Sequence, residues 1–234
     1  MKKSIIAVVL ALVMVVAFVA CNPVTDEDLL KFSEKNEKFT ETLDAFKLHC
    51  DTLIDEKGID ETTALSFETD LAVANTAFLG EAVQYLTLAL YNSTGKAYDE
   101  ATGLTSITKS GDTYTMIYDR EGTSDTTIFK SKEETSSFEM REGGTFSYSV
   151  EKLFFSENEF AVQFVMTESE GGYNVWQLYI NGTSGRLAAG IILSTMPASI
   201  YDNKAAITTA FATGGERSYI ITADDFVANI AGIE

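Results

Sequence analysis

Residues 159–167 read EFAVQFVMT, and residues 173–180 read YNVWQLYI. In the first run Phe160, Val162, Phe164 and Met166 alternate with Ala161, Gln163, Val165 and Thr167. In the second, Tyr173, Val175, Gln177 and Tyr179 fall on one face, and Trp176, Leu178 and Ile180 on the other. A period of two is that of a β-strand, whose successive side chains point to opposite faces. Gln163 and Thr167 aside, both faces of the first run are apolar, whereas a sheet face open to water carries more charge. These strands are therefore expected to be covered on both sides, by helices on one and by a second layer or a ligand on the other. Asn181-Gly182 follows the second run, and Asn-Gly between alternating segments is the strongest short hairpin signal.

Working outward, the same period recurs in Thr113–Tyr118, Thr126–Lys130, Ser137–Arg141, Thr145–Phe155 and Arg186–Leu193. Turn residues separate these runs at Ser110-Gly-Asp112, Glu121-Gly122, Glu142-Gly-Gly144, Ser156-Glu-Asn158 and Gly171-Gly172. Strands spaced this regularly predict an antiparallel meander of seven to nine strands. After Pro197 the pattern loosens. Ala205–Ala212 reads as a short helix, Ser218–Thr222 as a last strand and Asp224–Ile233 as a short closing helix.

Ahead of the strands the period is helical. Leu29, Phe32, Asn36, Phe39, Leu43, Phe46, Cys50 and Leu53 follow a 3-4-3-4 spacing that puts all eight on one stripe. Thr25 and the acids Asp26, Glu27 and Asp28 suit a helix N-terminus, and Gly58 suits its stop. The Leu29–Leu53 stripe serves either the protein's own core or, as a heptad seam, another helix. Asn36 needs a polar partner in that seam. Asp60 is placed to cap a second helix running to about Leu90, with a possible break between Phe67 and Asp70. The few residues between the helices favour an antiparallel hairpin. The expected fold is α+β: a single domain over 26–234, with a helical hairpin (26–91) packed on a mainly antiparallel sheet (104–234), either curved or an unclosed barrel.

Composition narrows the chemistry. The chain has 17 Lys and Arg against 35 Asp and Glu, a formal net charge of −18. Nucleic acid is not an expected partner, because phosphate binding needs a basic patch. His49 is the single histidine. Its neighbour Cys50 points about 100° away on a helix, so the two do not face each other as a thiol–imidazole pair. A single histidine also removes any multi-histidine metal site and weakens a Ser-His-Asp triad. No catalytic, metal or cofactor-binding residues are assigned, although paired carboxylates of an unrecognised hydrolase site leave no sequence mark. The sheet is rich in aromatics: Tyr114, Tyr118, Phe146, Tyr148, Phe160, Phe164, Tyr173, Trp176 and Tyr179.

The chain begins with Lys2 and Lys3, an unbroken apolar run from Ile5 to Ala20, and then Cys21. Sixteen apolar residues span about 24 Å as a helix, short of the roughly 30 Å hydrocarbon core. This segment resembles the signal peptide of bacterial lipoproteins, with Phe18-Val19-Ala20-Cys21 as the lipobox. The resemblance implies that residues 1–20 are removed and that Cys21 carries acyl chains such as palmitate. Residues 21–25 would then be a tether holding the protein to a membrane of the cell envelope, facing the periplasm or the exterior. Loss of Lys2 and Lys3 with the signal takes the formal net charge from −18 to −20. Cys50 would be left without a disulfide partner. The architecture is broadly similar to the unclosed barrels of periplasmic lipoprotein-carrier proteins. The functional expectation is non-catalytic binding of an apolar small molecule or of another envelope protein. The alternatives are an assembly partner using the Leu29–Leu53 stripe and a hydrolase.

Overall fold

The computed structural model describes residues 27–73, 88, 103–120, 122–132, 135–201 and 215–231, with side chains from residue 34 onward. Its centre is one ten-stranded sheet in which every strand pairs antiparallel with its neighbour in sequence. The strands are β1 (Leu104–Ser110), β2 (Thr113–Arg120), β3 (Thr123–Ser131), β4 (Thr135–Glu142) and β5 (Thr145–Ser156). They continue as β6 (Glu159–Thr167), β7 (Tyr173–Asn181), β8 (Ser184–Leu193), β9 (Arg217–Ile221) and β10 (Phe226–Ile230). The sheet does not close into a barrel, and the helices pack on it, so the fold is α+β.

The sheet has ten strands where seven to nine were expected, and two of the ten were not read as strands in the sequence. β1 precedes the first alternating run named in the sequence. β10 occupies the place of the expected closing helix at Asp224–Ile233. Asp224-Asp225 reads as a helix cap, but these residues turn the chain: the Thr222 N–H donates to the Asp225 carbonyl (2.9 Å), closing a β9–β10 hairpin. Phe226, Ala228 and Ile230 then pair with Ile221, Tyr219 and Arg217. Five residues cannot nucleate an isolated helix, whereas β9 supplies a ready ladder. The expected helix at Ala205–Ala212 lies outside the described residues.

α1 (Glu27–Lys57) ends where Gly58 was expected to stop it. The Ile59 N–H donates to the Ile54 carbonyl (3.0 Å) and the Gly58 N–H to that of Asp55 (3.3 Å), and Ile54 and Ile59 both pack on the core. Asp60 caps α2, which is helical over residues 61–73 without a break, by accepting from the Thr63 N–H (3.0 Å). Hydrogen bonds from the Thr63 hydroxyl and then its N–H hold the Asp60 carboxyl below the usual carboxylate range.

α1 lies across the strands and meets them nearly in order. The Lys35 ammonium donates to the Lys132 carbonyl just after β3. Asn36 accepts from Lys152 of β5 (3.1 Å), and Phe39 packs edge-on against Phe160 of β6 (5.3 Å). Phe46 lies over Gly185 of β8, His49 donates to the Thr222 carbonyl (3.0 Å), and Lys57 reaches Asp225 beside β10 (3.8 Å). The 31 residues of α1 make about 46 Å of helix, and ten strands span roughly 43 Å. The stripe from Phe39 through Leu43, Phe46 and Cys50 to Leu53 is buried on the chain's own sheet. Leu29 and Phe32 have no described side chains.

α2 is clasped to β9. Asp70, nearly fully buried, accepts from Arg217 Nε (2.7 Å), Arg217 Nη2 (2.9 Å) and the Tyr219 hydroxyl (3.0 Å). Hydrogen bonding to Asp70 raises the Arg217 guanidinium, and burial, with the nearby Asp70 charge, pushes the Tyr219 phenol well up. Phe67 completes the joint by packing edge-on against both Tyr219 and Phe226.

Phe46 is fully buried, and its ring occupies the space over Gly185: a Cβ there would lie 2.8 Å from the ring and 2.6 Å from the Tyr179 carbonyl. Phe46→Ala should therefore lower unfolding free energy by about 3–5 kcal/mol, measured by chemical denaturation. An unchanged midpoint and slope would show that this helix does not rest on the sheet.

Candidate functional site

The helix-bearing face carries a line of aromatic rings across four strands. Phe138 of β4 contacts Tyr148 of β5 (ring centroids 5.6 Å), Tyr148 contacts Phe164 of β6 (6.1 Å), and Phe164 contacts Trp176 of β7 (5.4 Å). Phe138 is buried, while Tyr148, Phe164 and Trp176 are half-buried. Rings in such tilted pairs avoid stacking like charge on like charge. The next row along the strands places Met166, Asn174 and Ile192 side by side. Met166 and Ile192 are exposed at 37% and 57%. Ile192 reaches this row through a bulge in β8: Ala189 and Gly190 together face the single residue Trp176 of β7, and Gly190 takes up the irregularity at φ 67°. Together these side chains form an apolar shelf with an open rim.

Two polar atoms in the shelf stand alone. Trp176 Nε1 and Asn174 Oδ1 are shielded from water and have no hydrogen-bond partner among the described residues. The Asn174 amide cannot flip to cure this. Its Nδ2 donates to Glu168 Oε1 at 2.6 Å, and a carboxylate takes only a donor.

The opposite face is covered as well, but not by apolar side chains alone. Ala161, Gln163 and Val165 are buried there, so strand β6 is covered on both sides as expected. At its centre, however, Glu151, Gln163 and Gln177 line up across β5, β6 and β7. Gln177 Nε2 donates to Gln163 Oε1 (2.9 Å), and Gln163 Nε2 donates to the Ala198 carbonyl (3.0 Å). The chain of donors runs one way and leaves Gln177 Oε1 buried without a donor among the described residues.

What covers these polar groups is the segment after β8. Glu151 accepts from the Ser199 hydroxyl (2.6 Å) and the Ile200 N–H (2.8 Å), and the Ile200 side chain packs on Leu153 and Ala161. The Tyr201 hydroxyl donates to Asp112 in the β1–β2 turn (2.7 Å), and the Lys132 ammonium sits 4.5 Å from its ring centre. Residues 198–201 thus form a strap laid across the strands. Burial would raise the Asp112 carboxyl, but the Tyr201 and Thr113 hydrogen bonds and the Lys132 charge outweigh it and hold it below its usual value.

The other aromatics named from the sequence disperse. Phe160 is core, Tyr114 faces Phe129 (6.4 Å), Phe146 and Tyr173 pair on the strap-bearing face (6.0 Å), and Tyr179 donates to Glu159 (2.5 Å). His49 and Cys50 are not a pair: the thiol is buried among apolar side chains, and that burial pushes it up to about 12. Cys21 lies outside the described residues. Asn36 finds its partner in Lys152, a buried lysine also 5.6 Å from the Phe39 ring. Sequence reading missed the strap and the polar line. Glu151, Gln163 and Gln177 do stand at mirror positions about the turns at 157–158 and 168–172, a signal visible once those hairpins are paired.

Glu151→Leu removes the acceptor of two donors beneath the strap. It should cost about 1–3 kcal/mol and speed hydrogen exchange at the Ile200 amide; unchanged exchange there would show the strap is held by its other contacts. For Asp112 the sign runs with its lowered value. Its contribution is complete above the unfolded carboxylate range of roughly pH 4 and fades as pH falls through the lower folded value. Acid titration should therefore free Tyr201 only below that range, read from the Tyr201 ring resonances.

No protein-family profile, curated protein or solved structure matches this chain.

Proposed function

We propose that this chain is a cell-envelope lipoprotein, anchored through acyl chains on Cys21, that binds an apolar small molecule without transforming it. The observation that carries the binding half is the shelf of Tyr148, Phe164 and Trp176, half-buried in a line and flanked by exposed Met166 and Ile192. Half-buried aromatic and thioether side chains around a few polar atoms suit an apolar guest better than they suit water. The Phe39–Leu53 part of the helix stripe is taken up by the sheet, which favours this reading over docking of another helix through it. The anchor rests on the apolar run ending at Ala20-Cys21. Several acyl chains on one residue hold firmly, because each buried CH₂ contributes about 0.8 kcal/mol.

Trp176 is the only tryptophan, so it reports on the shelf directly. An uncharged naphthylamine dye should quench its emission by energy transfer, and Ile192→Glu, at an exposed position, should weaken the dye by about tenfold or more. No transfer from Trp176 would overturn the shelf as a binding site.

Cys21→Ser should abolish incorporation of an acyl label and either release the protein from membranes or block its processing. Unchanged labelling would overturn the anchor while leaving the shelf untouched.

A further inference from the structure

Resting on the shelf as an apolar binding site, we infer that its ligand is an uncharged amphiphile: an acyl chain whose headgroup brings both a hydrogen-bond acceptor and a hydroxyl, as a glycerol monoester does. Three observations converge on this class.

The first is shape. The ring planes of neighbouring aromatics are inclined by 51°, 54° and 45°, so they offer no common flat surface. A planar ring system or the face of a sugar needs such a surface. A flexible run of methylene groups instead fits the creases between tilted rings.

The second is the pair of polar atoms. Trp176 Nε1 can only donate, and Asn174 Oδ1 can only accept. Both are shielded from water and lack partners among the described residues. A ligand that satisfies both removes the cost of leaving them bare. Residues 174 and 176 are two apart on one strand and share a face, which sets their Cα atoms about 7 Å apart. An ester carbonyl and a neighbouring hydroxyl supply one group of each kind. The carbonyl accepts from Trp176 and the hydroxyl donates to Asn174.

The third is charge. Glu168 holds the Asn174 amide at 2.6 Å, which fixes a carboxylate beside the polar end of the shelf. The chain as a whole carries −18. A free fatty acid would bring a second carboxylate to this end and be disfavoured, while its neutral ester would not.

The test uses the acylated full-length chain in lipid nanodiscs and an undecanoyl chain brominated at its tip, supplied either as the glycerol monoester or as the free acid. Bromine quenches tryptophan only at short range, so quenching of Trp176 reports this shelf and not the surrounding bilayer. In mildly alkaline buffer the ester should quench at about tenfold lower concentration than the acid. Asn174→Leu, which keeps the tryptophan, should weaken the ester by roughly five- to tenfold and hardly change the acid. Glu168→Gln, at a partly exposed position, should improve the acid relative to the ester. Equal quenching by ester and acid, or tighter binding of the acid, would overturn the headgroup assignment and leave the apolar shelf standing. Quenching by neither would overturn both.

Discussion

Burial of one helix face against a sheet of matching width is the interaction on which the rest of this molecule depends. An open antiparallel sheet supplies its own backbone hydrogen bonds but leaves two faces to be shielded. Phe39, Phe46 and Cys50 lose almost all contact with water because α1 runs the breadth of the strands, from the end of β3 to the β9–β10 turn. A helix half as long would leave the outer strands bare. α2 then needs only to secure β9 and β10, which it does through Phe67 and the Asp70–Arg217–Tyr219 clasp.

The two faces are covered by different means. On the helix-bearing face the cover is apolar, with the Lys152–Asn36 contact set into it. On the other face a short strap is held by directed hydrogen bonds to Glu151, Gln163 and Asp112. Hydrogen bonds fix a strap in one register where greasy packing alone would let it slide. The shelf lies on the helix-bearing face, where the aromatic line runs out from the buried Phe138 to half-buried rings.

Much of this architecture is legible in the sequence because its periods are local. The spacing of Phe39, Leu43, Phe46, Cys50 and Leu53 names a helix face regardless of what it meets. The alternation in 159–167 and 173–180 likewise names strands, and the tight turns leave the meander as the simplest connection. β10 was hidden because FVANI is too short to declare a period and follows two acids that mimic a cap. The strap was hidden for another reason. Residues 194–201 have no periodicity, and their partners lie tens of residues away on other strands. Tyr148, Phe164 and Trp176 were visible as aromatics, but only the strand register puts them in one line and shows which polar atoms beside them lack a partner.

The connectivity also bears on how the chain acquires this shape. Each strand pairs with the one made just before it, so the sheet can grow strand by strand with short loops to close at each step. The exception is α1, made first yet resting on strands from the end of β3 to the far edge at β10, with His49 and Lys57 engaging residues 222 and 225. A ribosome delivers those residues long after the helix. Until then only its earlier turns have strands to lie on, Asn36 at β5, Phe39 at β6 and Phe46 at β8. The last hairpin to emerge thus completes the seat of α1, supplying the Thr222 carbonyl and the Asp225 carboxylate that its C-terminal turns engage.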